Sequence, residues 1–261
     1  MSTNTQLGNY IRWQDRKITI PGERIQLCEK WGYDTLFMGE ATGHDAFAVL
    51  GYCAALTKRM TMATCIAQIP GRSPTSLACG AQTLAHLVGP DRNVMLGLGT
   101  SVEQISEGFF GGKFDRPIAR LRDYVAAIRL AHAGAPIDHR GETLSIPYSG
   151  AGARNTPALP MGIDTRDDIP LYLAAAGPQT MALAAEIFDG WYPVPGTYTP
   201  TTMGLFRPFL DEGFARSETP RSIDDLDIWV HLDAIVAEDV ATAMLEAKRY
   251  VVAHWLGFKL M

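Results

Sequence analysis

Along the chain, continuous apolar runs alternate with amphipathic stretches at a regular spacing. Asn93 to Leu98 is apolar throughout, as a strand buried on both faces would be, and it runs into the small-residue turn Gly99-Thr100-Ser101. Ile169 to Ala176 repeats the design, leading into Gly177-Pro178-Gln179-Thr180 and a helical run from Met181 to Ile187. A helix that opens on proline, with backbone N–H groups at its start, is a ready anion site. Two strand ends of this kind point to a parallel sheet whose carboxyl ends face one ligand.

Read from its beginning, the chain offers a short strand from Gln6 to Ile11 and a charged loop from Arg12 to Lys17. A helix from Pro21 to Gly32 follows, with Ile25, Leu27, Cys28 and Trp31 on its apolar side and Gly32 as its stop. The second strand is Tyr33 to Gly39, ending in the polar cluster Glu40-Ala41-Thr42-Gly43-His44-Asp45. Helix Ala46 to Leu56, strand Met60 to Ala67, and helix Thr75 to Leu87 come next, the last with Ser73 as its cap and Pro74 at its first position. After Asn93 to Leu98 the spacing predicts a short helix, a Gly-rich segment from Gly108 to Gly112, and a long helix from Arg116 to Ala133 with Tyr124, Val125, Ile128 and Ala131 as its apolar stripe.

From Gly134 to Asp168 the alternation dissolves, apart from a short hairpin at His139 to Ile146, and a loop of that length reads as a lid or a disordered excursion. It resumes with the strand at Leu171 and its helix, a strand Gly190 to Val194, a helix Thr201 to Arg216, a strand Asp227 to Val236 and a helix Glu238 to Phe258. Strand–helix alternation of this regularity predicts an α/β fold with parallel strands and right-handed crossovers. Seven strands are on offer where a (β/α)8 TIM barrel closes with eight. Either one strand hides in the loops, or the last unit is lacking, or the sheet is not closed.

Composition narrows the class. With 261 residues, 47% hydrophobic and 20% charged, the chain can bury a full core as one domain, residues 1–261 with an insertion at 134–168. A net charge of -5 argues against nucleic acid or an anionic membrane as partner, and no apolar run reaches membrane-spanning length. A polar N-terminus without a targeting segment points to a cytoplasmic protein. Its 4 cysteines form no C-x-x-C pair and its 6 histidines no cluster of ligand spacing, so no metal site is expected.

The candidate chemistry sits at strand ends. Gly99-Thr100-Ser101 is either a tight turn or a cofactor contact; a Rossmann G-x-G-x-x-G is excluded because Val102 holds the third glycine position. Glu40 closes a strand where barrel enzymes keep reactive groups, and it is also placed to pair with Arg72. Asp45 suits a helix cap and His44 either solvent or a substrate proton relay, while Cys65 reads as a small buried hydrophobe. Trp13, Trp191, Tyr192 and the 134–168 loop are candidates to line or cover a pocket.

Several blocks in order carry a resemblance: Gly32-Tyr33-Asp34-Thr35-Leu36-Phe37-Met38-Gly39-Glu40-Ala41, Asp45-Ala46-Phe47, Gly97 to Ser101, Phe114-Asp115-Arg116-Pro117, and Ala174 to Pro178 with Asp189-Gly190-Trp191. From about Gly22 to Gly257 the chain resembles the luciferase-like monooxygenase superfamily, in particular its branch that uses the deazaflavin coenzyme F420. The resemblance implies a luciferase-like (β/α)8 barrel, with or without its last strand, holding F420 at the strand carboxyl ends and moving a hydride to or from a small organic substrate. It places Glu40 near the deazaflavin ring, Cys65-Ile66-Ala67 at a strand-three bulge, often a non-proline cis peptide, behind the ring, and Gly99, Thr100 and Ser101 along the cofactor. Gly177, Pro178, Gln179 and Thr180 correspond to its phosphate-holding helix start, and a homodimer is implied. Glu40 and His44 are the catalytic candidates. Where deazaflavin dehydrogenases of this kind carry a His and a Glu, this chain has Ala41 and Val102, so the substrate does not transfer. The alternatives are an FMN-dependent monooxygenase on the same barrel, or a non-catalytic or truncated cofactor-binding barrel.

Overall fold

The computed structural model describes residues 5–11, 20, 22–194 and 198–260, from 253 on by backbone alone. Four strands open the sheet: β1 (Gly8–Ile11), β2 (Thr35–Met38), β3 (Thr61–Gln68) and β4 (Val94–Gly99). A separate antiparallel hairpin of β5 (His139–Arg140) and β6 (Ser145–Ile146) intervenes before β7 (Leu171–Ala175), β8 (Gly190–Pro193) and β9 (Asp227–Ile228). The main sheet has 7 strands in the order β1-β2-β3-β4-β7-β8-β9, and every pairing in it is parallel. Such an order needs a crossover at each step. These are supplied by α1 (Gly22–Lys30), α2 (Ala46–Leu56), α3 (Pro74–Val88), α4 (Glu103–Gly108), α5 (Pro117–His132), α6 (Pro178–Ile187) and α7 (Pro200–Arg216), with α8 (Val240–Leu260) last.

The period of two along a strand divides the core into two layers. Leu36, Met38, Leu171, Leu173 and Trp191 pack on the helix side, whereas Phe37, Tyr172 and Tyr192, the residues between or beside them, pack with Ala63 and Met95 on the concave side. Aromatic contacts carry the curl around to the far edge. The Phe37 and Trp229 rings lie 5.0 Å apart and those of Tyr10 and His231 5.1 Å apart, so the first two strands meet the segment past β9 through side chains. Among the described residues no strand pairs β9 with β1, and the fold is the (β/α)8 type with 7 strands in its sheet.

Local signals act as the sequence suggests. Asp45 caps α2 by accepting from Ala48 N at 2.8 Å, Ser73 caps α3 by accepting from Ser76 N at 3.1 Å, and Gly32 takes φ +88° just past α1. Other expectations are corrected by tertiary context. On α1 only Ile25 and Cys28 are buried, and Leu27 and Trp31 face outward. The predicted strand from Asp227 to Val236 ends at Ile228; Leu232 and Val236 beyond it are exposed, because nothing in the described structure packs on them. Trp191 is fully buried among the helices with its indole donating to Ala175 O at 3.0 Å, so it lines no pocket, while Tyr192 does face the concave side. Trp13 lies outside the described residues.

The segment from 134 to 168 is strapped to helices. Ile137 packs with Ala78, Ala127, Ala131 and Met161, and the fully buried Gln82 side chain pairs with both backbone groups of Arg166 at 2.7 and 2.9 Å. The hairpin is pinned to α5 by Asp123, which accepts from Thr143 N, Thr143 Oγ1 and Glu142 N and meets His139 Nε2 at 3.1 Å. Burial pushes the Asp123 carboxyl up, but the Thr143 bonds and His139 outweigh it and the net direction is down.

His132, near the end of α5, is buried with its Nε2 unpaired among the described residues. Burial, reinforced by the Arg129 charge, lowers it to about 4. A folded pKa below the unfolded value of about 6.5 makes a contribution to stability that is complete above about 6.5 and is lost as pH falls towards the folded pKa. Going from about pH 7.5 to about pH 5 should therefore cost about 2 kcal/mol at this site. Urea unfolding of the protein and of H132L at both pH values checks this; an equal pH response in the two proteins rules it out.

Candidate functional site

Because all strands of the main sheet run the same way, their carboxyl ends share one edge. That edge brings together Glu40 after β2, Cys65-Ile66-Ala67 on β3, Gly99-Thr100-Ser101 at the end of β4 and Gly177-Pro178-Gln179-Thr180 at the start of α6. Residues from four neighbouring strand ends thus form one continuous lip. His44 is half-buried in the β2–α2 loop on the same side.

The β3 bulge is the centre of the lip. The register of β3 against β4 shifts between Thr64 and Ala67, and the Cys65–Ile66 peptide is cis. Its carbonyls are both tied: Cys65 O accepts from Tyr10 OH at 3.3 Å, and Ile66 O accepts from Glu40 N at 2.9 Å. Cys65 and Ile66 pack on the concave side, whereas the Ala67 side chain is buried on the helix side and leaves only backbone at the bulge. Thr64 Oγ1 bridges to Gly97, donating to its carbonyl and accepting from its N–H, each at 2.9 Å.

The glycines of β4 serve this packing first. A Cβ at Gly99 would run into the Ile66 side chain, and one at Gly97 into Thr64 O and the Tyr192 ring. The space beside Gly99 is therefore occupied by Ile66, which leaves Thr100 and Ser101 as this turn's candidates for ligand contact. Gly177 differs, since a Cβ there would meet only Thr180 Oγ1, at 3.8 Å. Thr180 Oγ1 in turn accepts from Gly177 N at 3.1 Å and donates to Gly177 O at 2.9 Å, fixing the entry to α6.

Glu40 is nearly buried, with 9% of its side chain exposed, and both its oxygens are occupied. Oε1 accepts from Ala46 N at 3.1 Å and Arg72 Nη2 at 2.6 Å; Oε2 accepts from Gln68 N at 3.3 Å and Arg72 Nε at 3.2 Å. The pairing with Arg72 that the sequence allowed is thus present. Arg72 also bonds Asp45 and lies over the Phe47 ring at 4.9 Å. Burial works against the Arg72 charge, yet Glu40 and Asp45 raise it; at Asp45 burial is likewise outweighed, by Ala48 N and Arg72, and its carboxyl is held low. Burial pushes the Cys65 thiol up to about 12, which keeps it protonated and poorly nucleophilic.

Among the described residues, Gln68 Oε1, Ser101 Oγ and Tyr192 OH are buried without a partner, as is Ser106 Oγ on α4. Burial raises the Tyr192 hydroxyl, which stays protonated and able to donate. Buried polar groups are ordinarily paired, so Gln68, Ser101 and Tyr192 are candidates for contact with a bound group. Ser101 also holds φ +61° and Gln68 Nε2 donates to Glu40 O at 2.6 Å, which aims both residues. Gln68 escaped the sequence reading because a polar residue closing an apolar strand looks like the first residue of a loop.

A sequence model described as luciferase-like monooxygenase matches residues 17–259. The chain belongs to the luciferase-like monooxygenase family. Among its relatives, a Mycobacterium tuberculosis protein assigned by name to the coenzyme F420-dependent oxidoreductases is 37% identical over 260 residues, covering 98% of this chain and 73% of the relative. An F420-dependent glucose-6-phosphate dehydrogenase of Beutenbergia cavernae is 30% identical over 241 residues, 85% of this chain and 66% of its own length. In fold, the coenzyme F420-dependent tetrahydromethanopterin reductase of Methanopyrus kandleri superposes with a TM-score of 0.75 at 19% identity, over 95% of this chain and 71% of that one. The luciferase-like chain described here thus spans 73%, 66% and 71% of the length of these three relatives. Among its described residues no helix is long and apolar enough to cross a membrane, and no group of His, Cys, Asp and Glu is arranged to hold a metal.

Proposed function

We propose that this chain is an F420-dependent oxidoreductase, moving a hydride between the deazaflavin and a small organic substrate. The observation that carries the reading is the trio of unpaired buried atoms beside the Cys65–Ile66 bulge, in a chain 37% identical to a protein named for F420 dependence. Bound at the lip, the deazaflavin supplies a two-electron hydride acceptor or donor. The chain supplies everything else. Cys65 and Ile66 form a wall, Ser101, Gln68 and Tyr192 offer hydrogen bonds, and the start of α6 with Thr180 holds phosphate.

Glu40 acts here mainly as an anchor, because its four hydrogen bonds leave no lone pair suited to taking a substrate proton. His44, half-buried in the β2–α2 loop, completes the candidate substrate side of the same edge. Homodimeric assembly and a cytoplasmic setting belong to the same proposal.

A fluorescence titration of the purified protein with F420 and, separately, with FMN tests the reading. Micromolar or tighter binding of F420 and weak binding of FMN is expected. Preference for FMN would move the chain to the oxygen-using side of the family, and binding of neither by a folded protein would leave a barrel without either cofactor.

A further inference from the structure

One cluster of titratable groups lies beyond the end of the last strand, against Tyr10, which packs on the concave side. Past β9 the chain carries His231, whose ring lies 5.1 Å from the Tyr10 ring, and Tyr10 OH in turn donates to Cys65 O at 3.3 Å. His231 is therefore one aromatic ring away from the bulge that would back a cofactor. On its other side His231 Nε2 sits 3.4 Å from Asp233 Oδ1, and Tyr250 OH donates to that same oxygen at 3.0 Å. His231 side-chain exposure is 31%, enough for a ligand to reach the ring while Asp233 stays in contact.

We propose that His231, oriented by Asp233, exchanges a proton with the oxygen of an alcohol or carbonyl substrate. This rests on the oxidoreductase reading above and names the substrate class for that site. Removing a hydride from an alcohol carbon also requires a place for the hydroxyl proton. The carboxylates at the lip do not offer one: Glu40 has both oxygens engaged and Asp45 is paired with Arg72. As the C–H electron pair leaves with the hydride for the deazaflavin, the O–H proton passes to an imidazole nitrogen. The products on the substrate side are a carbonyl and an imidazolium. Asp233 Oδ1, 3.4 Å from Nε2, fixes the ring, in the way a carboxylate orients a catalytic histidine elsewhere. Reduction runs the same transfers backwards. Among the described residues, Tyr10 and Asp233 face His231, and Tyr250 reaches it through Asp233.

The test uses the full chain, F420 as probe, and the variants H231N and D233N. Acylation of His231 by diethylpyrocarbonate, resolved by peptide mass spectrometry, should slow at least fivefold when F420 is bound. His86, which contacts Asp164 O on the outer side of α3, serves as the control and should not change. H231N should bind F420 within threefold of the unaltered protein. With any secondary alcohol that is oxidised, H231N should lower kcat at least 100-fold and remove the acidic limb of the pH profile, and D233N, which loosens the ring, should lower kcat with F420 binding within the same threefold. Unslowed acylation of His231, or a pH profile unchanged in H231N, overturns the proposal while leaving the F420 reading in place. Failure of the unaltered protein to bind F420 overturns that reading, and the proposal with it.

Discussion

Replacing Arg72 with methionine is expected to lower the unfolding free energy by about 2–3 kcal/mol and to weaken F420 binding at least tenfold. Arg72 holds both oxygens of Glu40, reaches Asp45 and covers Phe47. Without it, a carboxylate only 9% exposed keeps its two backbone donors but loses its counter-charge. Removing one partner of a buried pair costs far more than removing both, because the remaining charge is stranded. The partial exposure of Arg72, 21% of its side chain, places the effect at the lower end of that range. E40Q combined with R72M should therefore recover at least half of the lost stability. Chemical denaturation of the single and double variants decides this; additive losses would mean that the pair is not the source. The binding effect follows from geometry, since Glu40 N holds the Ile66 carbonyl and Gln68 leans on Glu40 O.

The second large effect lies at the opposite end of the barrel. Arg92 is buried and spends its guanidinium on Met60 O, Ala54 O, Thr57 O and Thr57 Oγ1, at 2.8 to 3.2 Å. None of these partners is a carboxylate, and burial lowers its pKa against the help of Glu29. The side chain ties the end of α2 to the starts of β3 and β4, and Arg166 Nη1 fastens the 134–168 strap to the Arg92 carbonyl at 2.8 Å. R92A leaves three buried carbonyls without these donors, at roughly 1–3 kcal/mol for each group not reached by water, so a loss of about 3–4 kcal/mol is expected. R92K, with three donors on a point charge instead of a planar fork, should lose about half as much. A midpoint shift in urea below 1 kcal/mol for R92A would show that water replaces the guanidinium. Neither variant should alter F420 affinity in the fraction that stays folded, which separates this end of the barrel from the lip.

Nothing near Arg92 in the chain announces such a role. It follows Gly89-Pro90-Asp91, a turn signal that reads as exposed, and its partners lie 32 to 38 residues away. Helix α1 failed in the same way, because Leu27 and Trp31 look inward by type while position turns them out. The strand expected to run to Val236 stops at Ile228, since β propensity persists there without a layer to bury it. The lip was far more legible. Its residues close strands whose patterns are strong, and in a parallel sheet all strand ends of one kind share an edge.

The alternation of apolar runs with amphipathic stretches, the caps at Asp45 and Ser73 and the stop at Gly32 are local, so the sequence by itself determined the α/β class, the strand count and the shared edge of the candidate residues. Tertiary structure alone decided which face each residue shows, that Ile66 fills the space beside Gly99, that Glu40 is saturated by Arg72, and that His231 meets Tyr10 across the far edge. The reason is physical: periodicity and capping act over a few residues, whereas burial, ion pairing and ring contacts depend on partners that only the curl of the sheet brings together.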